Sequence, residues 1–582
     1  MSPASKPVRL SLFQESIWFF RLLDPALGSF NIARAWTLRG PLDPLVLQQA
    51  LDLVAARHEI LRSRIVVQDG FSCMVAVPER RLLCQITSFC QPDEAAARQQ
   101  ALAFLQDQCT RQFDFANEPL VRAHLVRLGS DESILMLVKP HLITDETSMR
   151  LFVTELATLY SAIRTGTEAC LAPPLQFAEY ADRQREFCHS PQVEPHLAFW
   201  RQMLTGAPAS IGLPGRRARN GALMSPYAGA DAQFQISGEL LAQLNAVRRN
   251  EGATLYGVFL AAFAILLWHI SGQTDFVVGS LVTNRVRPDT RSIIGPLVNT
   301  FALRFRFDDD VTVREILAAA RSLVTNAYRY SDLPFERLIE DLKAAHKLDP
   351  KFRLAAVFDY FASSPTPPGF HGIDATPVHI HRMRAQAGLT LKVWPEGDGM
   401  AAFFEYQLAR FDEADIKHLF VLYTVILSEI VKSPEAGLRF LPLPQKPGDA
   451  PKKLSDARGP DAVSASAVNS HMGVTEPAVT AAFDEIQSGV RSVWVKVFGI
   501  DTIGFESDFF QLGGHSLLAV QIVNRIWDEL AVEVPVDLLY TDATTVRSLS
   551  EYVCAQIVRQ PVASSDTQGI MSTDDRSVRM ES

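Results

Sequence analysis

Lys139-Pro140-His141-Leu142-Ile143-Thr144-Asp145-Glu146 stands where an apolar run gives way to a helical period. Upstream, Pro119 to Leu128 and Ser133 to Val138 are β-rich runs around the turn-forming Gly129-Ser130-Asp131-Glu132, the pattern of a hairpin. Downstream, Leu151, Phe152, Leu156, Leu159, Tyr160 and Ile163 recur at helical spacing. His141 is therefore expected between a strand end and a helix N-terminus. An imidazole there exchanges a proton near neutral pH, because its unperturbed pKa is about 6.5. One His with one Asp four residues on also arises by chance in structural roles, so the remaining chain has to decide which reading holds.

With 582 residues, 47% of them hydrophobic and 21% charged, the chain has material for several globular domains. No apolar segment follows Met1-Ser2-Pro3-Ala4-Ser5-Lys6-Pro7, so no secretory signal is read there. The most apolar run, Leu255 to Trp268, is shorter than the roughly 20 residues that a bilayer requires and reads as a buried core helix. No membrane association and a cytoplasmic location are expected. The seven cysteines are scattered and odd in number, which implies a reducing compartment and no metal-binding framework. His379 and His381 would share one face of a strand, but no nearby Cys or acid completes a ligand set, and no metal is expected. Of the net charge of −9, most lies between Glu476 and Ile557, where 12 Asp and Glu face 4 Lys and Arg. Such a segment avoids nucleic acid and is steered toward basic patches on protein partners.

Working outward, Ser11–Phe20 (SLFQESIWFF) is an aromatic-rich core segment, and Ala35 to Leu38 reads as a strand. Asp43 offers an N-cap for a helix through Val46, Leu47, Ala50, Leu51 and Val54, which ends in Arg57–Ser63 (RHEILRS). Arg62, if buried near Asp145, would form a bidentate pair that fixes the His141 loop. Then come Phe177–Asp182 (FAEYAD), a Pro-, Gly- and Arg-rich connection around Leu213 to Ala228, and a second αβ series. That series includes a strand at Asp275 to Val282, Ile293–Phe301 (IIGPLVNTF), a helix opened by Ser331–Leu338 (SDLPFERL), and strands at Leu354 to Phe361 and Met400 to Gln407.

In order and spacing, these motifs resemble the condensation domain of nonribosomal peptide synthetases, over about residues 8 to 445. The resemblance implies an α/β (α+β) fold with two lobes like chloramphenicol acetyltransferase, an N-lobe over 1–177 and a C-lobe over 178–445. From 446 to 475 the composition turns to Pro, Lys, Ala, Ser and Gly without periodicity, a flexible linker. A compact helical pattern over 476–560 contains Asp508–Leu518 (DFFQLGGHSLL), which resembles the modification site of a four-helix-bundle peptidyl carrier domain. Gly513 and Gly514 permit a tight turn, and Ser516 would then open a helix whose N-terminal amides favour a phosphate. The polar tail, 561–582, reads as disordered.

The resemblance further implies 4'-phosphopantetheine on Ser516 and His141 as the catalytic residue, with Asp145 and Arg62 as structural support. His141 would position the acceptor amine, remove its proton or stabilise the tetrahedral intermediate. The implied partners are an upstream acyl or peptidyl carrier protein, an adenylation enzyme acting in trans, a phosphopantetheinyl transferase and a downstream or release enzyme. The family pattern HHxxxDG reads PHLITDE here: Pro140 replaces the first His and Glu146 the Gly. Glu146 would obstruct the acceptor channel, bind a cationic acceptor, or merely stabilise the first helical turn. Two functions of different classes follow, an acyl-transferring condensation enzyme and a catalytically silent platform that presents carrier-bound substrate to tailoring enzymes.

Overall fold

The computed structural model describes residues 6–23, 31–214, 227–444 and 476–559, apart from 286, 309, 363–366, 382, 501, 510, 513–515, 531, 533, 535–537 and 540–542. They fall into two compact units. The larger begins with β1 (Val8–Arg9), α1 (Leu12–Leu23), β2 (Asn31–Arg39), α2 (Pro44–Arg57), β3 (Ser63–Gln68), β4 (Phe71–Ala76) and β5 (Cys84–Ser88). It continues through α3 (Glu94–Thr110), β6 (Arg122–Arg127), β7 (Glu132–Pro140), α4 (Glu146–Thr165) and α5 (Phe177–His189). After α6 (Glu194–Leu204), a second series holds β8 (Gly229–Ile236), α7 (Gly238–Asn250), α8 (Leu255–Ser271), β9 (Asp275–Thr283), β10 (Val298–Arg306), α9 (Val313–Arg329) and α10 (Phe335–Ala344). It closes with β11 (Ala356–Tyr360), β12 (Asp374–Val378), β13 (Leu389–Glu396), β14 (Gly399–Gln407) and α11 (Glu413–Lys432).

In the first lobe, Asp43 caps α2 by accepting from the amides of Leu45 and Val46, and Leu47, Ala50, Leu51 and Val54 turn one stripe into the core. That stripe joins the core of a lobe whose five-stranded sheet is ordered β12-β2-β7-β6-β5. Strand β7 is central, paired antiparallel to β2 and β6, and buried from Ser133 to Pro140 because both of its faces are covered. The second lobe is built on a six-stranded sheet, β10-β9-β11-β13-β14-β8, with α8 as its central helix. Helix α8 is buried all round from Gly257 to Leu267, as expected for a core helix. Among the described residues no single helix is long and apolar enough to cross a membrane.

Two features depart from the expected lobe boundary at 177/178. Phe177 and Ala181 of α5 pack into the first core, whereas the second core starts at Val193. Ile293, Ile294, Leu297 and Phe370, all from the second series, also pack into the first core, and β12 joins the first-lobe sheet by pairing with β2. The lobes therefore exchange chain segments, and a single cut point along the chain cannot capture that.

The C-terminal helical region holds α12 (Glu476–Phe498), α13 (Ser516–Leu530) and α14 (Val546–Arg559), with Trp494, Phe509, Ile522, Ile526, Leu549 and Val553 buried. Three helices of the expected four are thus described. The expected linker, 446–475, and tail, 561–582, lie outside the described residues, as do Gly513, Gly514 and the 215–226 stretch of the Pro-, Gly- and Arg-rich connection.

Candidate active site

His141 follows the last residue of β7 and precedes α4, in the strand-to-helix turn that the sequence placed there. The turn is short because Asp145 caps α4, accepting from the Ser148 amide at 2.7 Å. Two residues of α1 hold the turn from the other side. Gln14, fully buried, donates its side-chain amide to the Leu142 carbonyl at 2.7 Å, and the Phe13 ring lies 5.2 Å from the His141 ring, centroid to centroid.

Asp145 is buried and its carboxylate is fully engaged, but not by Arg62. Arg285, just beyond β9, forks onto it at 2.8 and 3.1 Å, and the Leu297 amide donates to it at 2.9 Å. Burial alone would push the Asp145 carboxyl up; the Arg285 charge and hydrogen bonds, with those of Ser148, outweigh that and hold it below the usual carboxylate range. The same guanidinium donates to Ser148 Oγ at 2.6 Å and to the Gly295 carbonyl at 3.0 Å. The IIGPLVNTF stretch is thereby fastened to the His141 turn.

The expected Arg62–Asp145 pair is therefore corrected. Arg62 donates to the carbonyls of Ala55 at 2.8 Å and Pro78 at 3.2 Å, closing the C-terminal end of α2. Its neighbours in RHEILRS reach α4 instead: Arg57 donates to Glu155 at 2.9 Å, and His58 Nε2 lies 3.0 Å from the same carboxylate. Arg285 was missed because it is 140 residues from Asp145 in the chain and carries no local pattern.

The other motifs converge on the same region. Asn299 donates to the carbonyls of Ser331 and Leu333 at 2.9 and 2.8 Å and accepts from the Phe335 amide at 3.0 Å, tying IIGPLVNTF to SDLPFERL. Gly295 leaves room for a close approach, since a Cβ there would run into the Phe177 ring of FAEYAD.

Glu146 forms an ion pair with Arg34 of β2, with both side chains about one-third exposed. Next to the turn, Lys139 is fully buried, with Nζ 4.3 Å from the Phe152 ring centroid and without a hydrogen-bond partner among the described residues. Burial pushes its ammonium group down to about 7, against the attraction of Asp145 and Glu146. In the C-terminal region Ser516 is the first residue of α13, a helix of 15 residues.

The site is thus a histidine at the end of the central strand of one lobe's sheet, backed by a buried Asp–Arg pair. Residues 4–449 match the Condensation domain family. The chain belongs to that family. Residues 488–553 match the Phosphopantetheine attachment site family, so the condensation domain is followed by a carrier domain whose cofactor is 4'-phosphopantetheine. A helix opening at Ser516 fits that group, because N-terminal amides stabilise a phosphate. The condensation domain is 32% identical over 446 residues to a linear gramicidin synthase of Brevibacillus parabrevis, a match covering 76% of this chain and 6% of that protein. Phosphinothricin tripeptide synthetase PhsC of Streptomyces viridochromogenes is 30% identical over 459 residues, which cover 75% of this chain and 40% of the synthetase. The chain thus spans a small part of the synthetases it matches. Among solved structures, the X-domain from teicoplanin biosynthesis superposes with a TM-score of 0.66 at 22% identity, covering 75% of this chain and 98% of that one, which shows the shared fold.

Proposed function

We propose that this condensation domain transfers an acyl or peptidyl group from the thioester of a partner carrier protein to an acceptor amine, with Ser516 as the attachment serine of its own carrier domain. The observation that carries the reading is His141 itself, delivered by the end of β7 in a turn that Gln14 holds at the Leu142 carbonyl and Asp145 closes by capping α4. The phosphopantetheine arm, when attached, supplies the thiol on which substrate is carried. In the reaction the amine nitrogen attacks the thioester carbonyl and forms the carbon–nitrogen bond, the carbon–sulfur bond breaks to leave the thiolate on the donor carrier, and a ring nitrogen of His141 takes the proton that the amine loses and passes it to that sulfur. Asp145 has no proton to exchange in this scheme. Its oxygens are occupied by Arg285, Ser148 and Leu297, and it sets the turn. Glu146 is neutralised by Arg34, which supports its tolerance where the family carries glycine. Implied partners are the upstream carrier, an adenylation enzyme in trans, a phosphopantetheinyl transferase and a downstream or release enzyme.

Pro140, standing where the family carries its first His, favours a second reading, in which the domain is a silent platform for tailoring enzymes acting on substrate held at Ser516. A similarly folded X-domain forms a complex with OxyB in teicoplanin biosynthesis. Intact-protein mass separates the two readings. Aminoacyl-loaded chain is mixed with a panel of acyl-carrier donors, for wild type and His141→Ala. Product from wild type alone, with both proteins loading equally, supports transfer. Equal product from His141→Ala refutes the role of His141, and no product from any donor, together with stable capture of a tailoring enzyme, favours the platform.

A further inference from the structure

The histidine pair set aside in the sequence for want of an acidic partner acquires one in the fold. Asp231, on β8, lies 148 residues from His379 in the chain, yet its carboxylate Oδ2 stands 2.6 Å from His379 Nε2 and 3.3 Å from His381 Nδ1. All three donor atoms fall within 4.8 Å of one another. The Asp231 side chain is only 1% exposed, while the two imidazoles are 45% and 67% exposed. The rings meet edge to face with centroids 4.5 Å apart, and so converge on one carboxylate oxygen from two directions.

We propose that Asp231, His379 and His381 form a binding site for a divalent transition-metal ion, with Zn2+ the best-matched probe. Two imidazole nitrogens and one carboxylate oxygen are a ligand set that Zn2+ takes, leaving further positions to water. At tetrahedral angles and Zn–N distances of about 2.0 Å, adjacent donors stand roughly 3.3 Å apart. The His381–Asp231 separation already has that value. The shorter His379–Asp231 contact is a hydrogen bond that opens by rotation of a half-exposed ring.

The place of the cluster gives the metal a purpose. His379 and His381 follow β12, the edge strand that the second series contributes to the first-lobe sheet, and the backbone of His381 is fastened to α3 through Gln106 by bonds of 2.8 and 3.1 Å. Asp231 is on β8, the edge strand of the second-lobe sheet, opposite Glu405 of β14. A cation held by all three fastens the crossover segment to the second lobe, joining the edges of the two sheets.

The test is zinc titration of the full, tag-free, chelator-stripped chain, followed by calorimetry and thermal unfolding. Wild type is expected to bind one saturable equivalent and to unfold at a higher temperature with Zn2+. The double variant His379→Gln/His381→Gln, whose side-chain amides still donate to Asp231, is expected to lose that equivalent, and its unfolding temperature to stay the same with and without Zn2+. Asp231→Asn is expected to lose it as well. Co2+ in place of Zn2+ is expected to give d–d bands without a thiolate charge-transfer absorption, which excludes the seven cysteines. Absence of saturable binding to wild type, or an equivalent retained by the double histidine variant, overturns the proposal.

Discussion

Replacing Lys139 by Met tests the electrostatic account of the strand that delivers His141. The Lys139 amine is fully buried over the Phe152 ring, and burial lowers it from 10.5 to about 7. Between those two values the unfolded chain binds a proton that the folded chain does not, so stability rises with pH through this window, and the full penalty is present below it. A displacement of that size corresponds to a penalty on the order of 5 kcal/mol at pH 6, falling to about 2 kcal/mol at pH 9. Methionine keeps the apolar stem and removes the charge. It is one heavy atom shorter, and the void it leaves costs about 1 kcal/mol. Lys139→Met is therefore expected to raise the denaturant midpoint strongly at pH 6 and only slightly at pH 9. Paired denaturant titrations of both proteins, followed by tryptophan fluorescence across that range, measure the difference. A gap between variant and wild type that does not change with pH would refute the reasoning, as would destabilisation at pH 6.

Arg285→Ala leaves the Asp145 carboxylate buried without its guanidinium and is expected to cost about 3–5 kcal/mol, whereas Arg62→Ala, which removes bonds to backbone carbonyls at a partly exposed site, costs about 1 kcal/mol; thermal unfolding ranks the two, and the reverse order would contradict the corrected pairing. Because the folded carboxyl of Asp145 lies below its ordinary value of 3.8, its stabilising effect is present above that value and is lost as pH falls through the lower folded one. Asp145→Asn should therefore flatten the acid limb of the stability profile, and an unaltered limb counts against the claim. Glu146→Gly removes a one-third-exposed ion pair with Arg34 and is expected to shift stability by less than about 1 kcal/mol, which a melting curve checks. Gly295→Ala places a methyl against the Phe177 ring and is expected to lower stability by about 1–3 kcal/mol or more; a neutral result would mean that the ring moves aside.

Local pattern was enough wherever the cause was local. The hairpin of β6 and β7, the Asp43-capped helix α2, the periodic helix α4, the fully buried α8 and the His141 turn between strand and helix all rest on spacing, capping residues and turn chemistry within about twenty residues. The ordered motifs likewise named the family, since each is a short string. Partner choice for charged side chains is different in kind. A guanidinium pairs with whichever carboxylate the fold buries beside it, so nothing in RHEILRS distinguishes Arg62, which closes a helix end, from Arg285, which neutralises Asp145.

Periodicity and motif strings act over short stretches of chain, and they sufficed for the two-lobed plan, the position of His141 and the serine that opens α13. It took the folded chain to show that Gln14 steadies the turn, that Lys139 is buried over Phe152, that β12 crosses to the other lobe's sheet, and that Asp231 meets His379 and His381. Each of these depends on burial or on contacts between residues far apart in sequence. The burial of a charged side chain and contacts between distant residues come from packing the whole chain, and no local pattern encodes them.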